Sequence, residues 1–324
     1  MKRIIAFVIL AAFFLGGAAA RDLDEIKASG KLIVGLRKTA TTWAVDPKTG
    51  AESGFTYELA SAFASGLGLK LEIVTIPTFG DLWKKDGAIP AGFDKDPSVV
   101  YTPDIYREID VAAEILSPQP WREKLVELVP FIENTDIVLA RKDLNLGSNR
   151  DLPGKRVFLV TGMSSYAIFT AKMKELGQAF VEEAAKLVAI DTEPRLLPVS
   201  GSLRPVGYSG PVHLYMLPAG TPFKSFTGIW LIQSGQADFG LADYLSILLQ
   251  LWENPAFRDL VVPAYSFSGQ NIPLCFSLAK DSPRLKAELA AFFSAMKSDG
   301  RFSALVKKYT GFTYDEYKSI MGAR

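Results

Sequence analysis

The stretch Thr56-Tyr-Glu-Leu-Ala-Ser-Ala-Phe-Ala-Ser-Gly-Leu67, followed almost at once by Leu69-Lys-Leu-Glu-Ile-Val-Thr-Ile76, changes its period in the middle. In the first part, Leu59, Ala60, Ala62, Phe63 and Leu67 fall close to helical spacing. In the second, apolar and polar residues alternate as they do in a half-buried strand. A helix feeding directly into a strand is the repeating unit of α/β architecture. The same alternation extends in both directions. Upstream, Leu23–Gly30 reads as a short helix closed by glycine and Lys31–Leu36 as a buried strand. Downstream, strands are expected at Ile109–Leu116, Asp136–Ala140, Arg156–Thr161, Ala237–Ala242 and Leu260–Ala264, with helical segments between most of them, so the sheets should be largely parallel. Near the end, Ser282 caps a final helix with Pro283 in its first turn. Leu285, Leu289, Phe292, Phe293 and Met296 form its apolar face, and Gly300 follows it. Two stretches rich in proline and glycine break the alternation, residues 84–103 and 192–221, and read as long surface insertions.

The N-terminus carries Met1-Lys-Arg3, a 12-residue apolar run from Ile4 to Leu15, and small residues ending at Ala20. That order is the pattern of a secretory signal peptide, residues 1–20, cleaved after Ala20. The run is short of the roughly 20 residues that span a bilayer, so no membrane insertion of the mature chain is expected. No cysteine stands near the cleavage point to accept a lipid. Removing Lys2 and Arg3 turns the formal charge of +1 into about −1, which gives nucleic acid no electrostatic footprint. About 300 mature residues exceed what one hydrophobic core usually organises, which favours two lobes.

Reactive groups are scarce. The single cysteine, Cys275, lies in the apolar run Ile272–Leu278, where a thiol serves as a small core residue. The single histidine, His213, lies in Val212-His-Leu-Tyr-Met-Leu217 and reads as a packed or edge-strand residue. One His and one Cys cannot assemble the usual zinc sites or a Ser-His-Asp triad. Gly162-Met-Ser-Ser-Tyr166 begins like a nucleophile elbow but places tyrosine where the closing glycine belongs. Ser277-Leu-Ala-Lys280 has S-x-x-K spacing at the end of an expected strand rather than in a helix. No phosphate-binding glycine loop is present. These absences point away from an enzyme, from a bound metal and from a cofactor.

Gly54-Phe-Thr-Tyr-Glu-Leu-Ala60 resembles the opening of the first helix in the bacterial extracellular solute-binding proteins of family 3, the amino-acid-binding type, with Glu58 where Asp is usual. The resemblance continues in Gly30-Lys-Leu-Ile-Val-Gly35, in Asp110–Pro130, in Ser234-Gly-Gln-Ala-Asp-Phe-Gly-Leu-Ala-Asp243 and in Lys307-Lys-Tyr-Thr-Gly311. It implies a two-lobed α/β fold, the type II periplasmic-binding-protein arrangement, with residues 21–133 and 272–324 in one lobe and 134–271 in the other. Two hinge crossings would fall near Phe131–Asp136 and Gly269–Ile272, with a cleft between the lobes that closes on a ligand.

Within that resemblance, Arg122 occupies the place of the arginine that grips a ligand carboxylate, a task suited to a planar guanidinium. Ser117 would add a hydroxyl. Asp243 stands where the family holds a ligand ammonium, although an aspartate there is equally a helix N-cap. Gly162–Ser165, with Gly162 and Ser164 foremost, would offer free backbone N–H groups at a helix start, or be a loop capped by Ser164. Trp43 and Phe79 would form aromatic walls or lobe core. Arg37 departs from the family's usual residue and would signal an unusual ligand if it faces the cleft. The implied function is capture of a small polar, carboxylate-bearing or amino-acid-like molecule by a periplasmic monomer, for uptake through an ABC permease or for a membrane sensor. The alternatives are an accessory protein that uses residues 192–221 as a contact surface, and a cyclohexadienyl-dehydratase-like enzyme. Against the latter, Ser246 stands where a glutamate is expected. Similar lobe pairs also precede lytic transglycosylase domains, and with the sequence ending at Arg324 no such domain is expected.

Overall fold

The computed structural model describes residues 20–39, 41–223, 226–257 and 260–322. The signal-peptide reading concerns residues 1–20 and so falls almost wholly outside them. Strands β1 (Lys31–Leu36), β2 (Ala44–Val45), β3 (Glu52–Ser53), β4 (Lys70–Thr75), β5 (Val111–Leu116) and β6 (Glu127–Arg141) come first. They are followed by β7 (Arg156–Val160), β8 (Phe180–Val188), β9 (Arg195–Pro198), β10 (Val212–Leu217), β11 (Phe239–Asp243) and β12 (Val261–Leu278). Helices are α1 (Leu23–Ser29), α2 (Phe55–Gly66), α3 (Pro120–Leu125), α4 (Ser164–Glu175) and α5 (Thr227–Gln233). To these the C-terminal part adds α6 (Tyr244–Glu253), α7 (Pro283–Ser298), α8 (Arg301–Thr310) and α9 (Tyr314–Gly322). Apart from the small β2–β3 hairpin, the strands form one ten-stranded sheet in the order β4-β1-β5-β12-β6-β11-β7-β10-β8-β9.

Two parallel sets flank a long antiparallel pair. β4, β1 and β5 run parallel on one side, and β11, β7, β10 and β8 on the other. Between them β6 and β12, 15 and 18 residues long, pair antiparallel along most of their length, with the register broken between Ser266 and Asn271. β1 is apolar on both faces because it is covered on both, whereas the edge strand β4 exposes Lys70, Glu72 and Thr75 and half-buries Leu71 and Ile73. α2 buries Phe55, Leu59, Ala60, Phe63 and Ala64. Gly54 is required before it: its φ is +133°, and a Cβ there would collide with the Thr42 carbonyl.

The C-terminal helices bury the other side of the same core, where the Phe131 ring lies 5.1 Å from Phe276 and 6.0 Å from Phe293. Ser282 does begin α7, but its hydroxyl donates to the Arg21 carbonyl instead of capping the helix, and α8 and α9 follow it.

The reading of residues 192–221 as a surface insertion needs correction. The segment holds β9, which pairs with β8, and β10, a buried central strand between β7 and β8. The prolines and glycines that suggested a loop mark the ends of these strands. His213 is accordingly an interior residue of β10, 2% exposed, with Nε2 2.8 Å from Glu183 Oε2. Residues 84–103, by contrast, are irregular, with one isolated bridge from Lys85 to Ala88 and one 3₁₀ turn beyond at Asp104–Arg107. They are anchored by their own Phe93, which is buried 5.0 Å from the Trp121 ring and against Gly162.

Candidate ligand-binding site

Ligand sites in parallel sheets lie beyond the C-terminal ends of the strands, where loops and helix starts converge. Here the segment after β1 faces the ends of β7 and β11 across a cavity of about 210 Å³. Arg37, Thr39 and Thr41 supply one wall. Phe158 and Val160 of β7, Ile229 and Ile232 of α5, and Leu241 and Ile247 beyond it supply an apolar one. The Phe158 and Phe223 rings stack at 6.3 Å with a 22° tilt. The backbone of β11 approaches closely at Gly240, where a Cβ would come within 3.2 Å of Ile232 Cδ1. A smaller cavity of about 70 Å³ shares Arg37, Thr39, Met163 and Phe223 and reaches Phe79.

Arg37 therefore lines both cavities. Its backbone N–H and its Nε donate to the two oxygens of Glu114, both at 2.6 Å, and Glu114 is fully buried on β5. Such a pair is tolerated because each charge is compensated and hydrogen-bonded. Glu114 was not singled out from the sequence, although a lone carboxylate in the apolar run Val111-Ala-Ala-Glu-Ile-Leu116 was the available signal.

Arg122 is 2% exposed and lines none of these cavities. Nη1 donates to the Ser117 carbonyl and Nη2 to the Gly162 carbonyl, each at 2.7 Å. Its guanidinium carbon lies 5.1 Å from the Trp121 ring, 5.4 Å from Phe79 and 5.5 Å from Trp83. Nε is buried without a partner, and burial pushes the guanidinium down to about 9. Ser117 thus meets Arg122 through its main chain. Phe79, nearly buried, lies between the two guanidinium groups, 5.7 Å from that of Arg37.

Gly162 has φ +82° and presents its carbonyl to Arg122, while the Phe93 ring fills the space a Cβ would need. Ser164 is the first residue of α4, and the cap position belongs to Met163, so the loop capped by Ser164 is not what forms. Ser165, buried, is the serine that lines the cavity. Asp243 is the N-cap of α6, with Oδ1 accepting the Ser246 N–H at 2.8 Å. It also stands directly opposite Asp136 in the β11–β6 register, a pairing invisible in the sequence. Trp43 packs on the main core and donates from Nε1 to Glu52 at 3.0 Å, away from the cavity. Among the described residues no group of three or more His, Cys, Asp or Glu is placed to hold a metal, and no helix is long and apolar enough to cross a membrane.

The sequence profile of the family "Bacterial extracellular solute-binding proteins, family 3" matches residues 106–312, more than half of the chain. The chain belongs to that family. Solved structures of similar fold include an amino acid ABC transporter substrate-binding protein, AbpA, from Streptococcus pneumoniae bound to L-arginine, with TM-score 0.59 and 19% identity over 89% of this chain and 98% of that one. A solute receptor for L-cysteine of Neisseria gonorrhoeae gives TM-score 0.58 and 16% identity, covering 88% and 92%. At these identities the likeness shows the fold alone, a mixed α/β arrangement matching type II binding proteins. Among curated proteins, the membrane-bound lytic murein transglycosylase F of Ectopseudomonas mendocina is 28% identical over 170 residues, 52% of this chain and 31% of the relative. That of Saccharophagus degradans is 28% identical over 177 residues, 54% and 31%. The match thus spans about a third of the length of these relatives. They are named as enzymes, and the expectation of a family 3 member outside enzymology does not stand against them.

Proposed function

We propose that this family 3 protein captures a small carboxylate-bearing solute in the cleft between the segment after β1 and the ends of β7 and β11, in the periplasm, for uptake or sensing at the membrane. The observation that carries this reading is the cavity of about 210 Å³ with Arg37 in its wall. It lies where ligands bind in open α/β sheets. In this reading the two halves of the sheet are lobes, and β6 and β12 are the crossings between them. The break in their register between Ser266 and Asn271 supports a hinge there, because fewer ladder bonds oppose bending. The partner is an ABC permease or a membrane sensor, and the chain acts as a monomer.

A thermal-shift screen of the mature protein against amino acids, monocarboxylates and dicarboxylates tests the reading. A ligand at 100 times its Kd adds about 2.7 kcal/mol of stability. No shift with any member of the set would remove it. The curated relatives favour a second reading, in which the solute-binding unit serves murein-cleaving chemistry. Release of soluble fragments from purified murein by this chain would establish it, and none above buffer would remove it.

A further inference from the structure

The cavity has a composition that restricts its occupant further. Of the described residues that line it, Arg37 alone carries a charge. The remainder of the polar lining consists of hydroxyls and one amide, Thr39, Thr41, Ser165, Ser246 and Gln250. Phe158, Ile229, Ile232, Leu241 and Ile247 form an apolar wall, with Ser246 and Gln250 of α6 the neutral polar groups beside it. A cationic or acidic side chain placed there would be desolvated without a charged partner, which is costly. Asp243, the nearest acid along the chain, is occupied as the cap of α6.

The cationic end is equally defined. Glu114 takes the backbone N–H and Nε of Arg37 from behind, which fixes the guanidinium. An arginine has five donors, and Nη1 and Nη2 donate to no described group. Two parallel N–H donors are the fork that a carboxylate accepts. Arg122 offers no comparable pair because it is 2% exposed and outside these cavities: two of its five N–H groups bond the Ser117 and Gly162 carbonyls and the rest are closed off with them.

Resting on the capture reading above, we infer that the cavity takes a monocarboxylate with a bulky apolar body, branched or aromatic, whose carboxylate is received by Arg37 and whose body lies against Phe158 and the α5–α6 wall. The cavity of about 210 Å³ has room for one ring or branched chain against that wall. Displacing poorly bonded water from an apolar wall favours such a body over a polar one.

Calorimetric titration decides the matter, with hydrocinnamate and isocaproate as apolar acids, hydrocinnamamide as the neutral analogue, and L-arginine and L-glutamate as polar carboxylates. The apolar acids are expected to bind, the amide about tenfold more weakly or worse, and the polar carboxylates not at all. Arg37→Met alone would strand the buried Glu114, so it is combined with Glu114→Gln. In that double variant the acid-to-amide preference should collapse to about one. Ala242→Phe, which fills the cavity from β11, should abolish both and supplies the readout if the double variant fails to fold. Binding of L-arginine or L-glutamate in preference to the apolar acids would overturn the inference and leave the capture reading standing. Binding of none of the probes would overturn the inference, and the capture reading with it only if the wider thermal-shift set also gives no shift. An unchanged acid preference in the folded double variant would overturn the role of Arg37, and unchanged binding in Ala242→Phe would overturn the location.

Discussion

Asp136→Asn should stabilise this protein strongly at pH 8 and by only about 1 kcal/mol at pH 4.5. Asp136 sits in β6, 3% exposed, directly opposite Asp243 of β11. Like charges in opposed positions of an antiparallel pair repel, and neither carboxylate has a basic partner within ion-pair distance among the described residues. Asp243 accepts the Ser246 N–H and is held as the acceptor. Burial, and then the Asp243 charge, push Asp136 up to about 7 from an ordinary 3.8. Asp243 is itself raised by burial, against the lowering effect of its Ser246 bond and of the Arg37 charge, so the two carboxyls titrate as a coupled pair.

The sign follows from linkage. Between pH 4 and 7 the folded protein keeps a proton that the unfolded chain has released, so stability falls as pH rises, at up to about 1.36 kcal/mol per pH unit for this group. The interval from 3.8 to about 7 corresponds to a cost of at most about 4 kcal/mol, fully present well above pH 7 and absent below about pH 3. An asparagine has nearly the same shape and no charge to lose, so it should recover about 2 to 4 kcal/mol at pH 8. Urea unfolding followed by tryptophan fluorescence, at pH 4.5 and pH 8 for both proteins, isolates the Asp136–Asp243 pair because titrations elsewhere are common to the two. A variant no more stable than wild type at pH 8, or one equally shifted at both pH values, would refute the reasoning.

Gly162→Ala should lower stability by about 2 to 4 kcal/mol, about 1 to 2 from the left-handed backbone and the remainder from the Phe93 ring, which lies 2.7 Å from where the Cβ would stand. Thermal unfolding checks this, and a change within about 0.5 kcal/mol would mean that residues 84–103 do not pack on Gly162 as described. Cys275, fully buried and with its thiol pushed up to about 12 by that burial, should react with thiol reagents at least about a thousandfold more slowly in the native protein than in urea. Rapid labelling under native conditions would show that β12 opens far more readily than its place in the sheet implies.

Much of the framework is legible along the chain because it rests on local causes. The period change at residues 56–76 marks α2 and β4, the apolar run Lys31–Leu36 marks β1, and Ser282-Pro283 with Gly300 brackets α7 to within a residue. The poverty in histidine and cysteine is likewise a property of composition alone. Where local signals conflict with tertiary placement they mislead: Pro211 and Pro218 flank β10 and made a central strand look like a loop, because a proline signals only that the ladder stops there.

The site is a different matter, since each of its decisive contacts joins residues distant in sequence. Arg37 meets Glu114 across 77 residues, Arg122 meets Gly162 across 40, and Asp136 faces Asp243 only through the β6–β11 register. Sequence could name Arg37 and Arg122 as candidate cations, because guanidinium chemistry belongs to the residue type. Which of the two faces an open cavity and which is closed off by a carbonyl depends on how strands and loops far apart in the chain are brought together, and that is settled by packing of the whole sheet rather than by any local pattern.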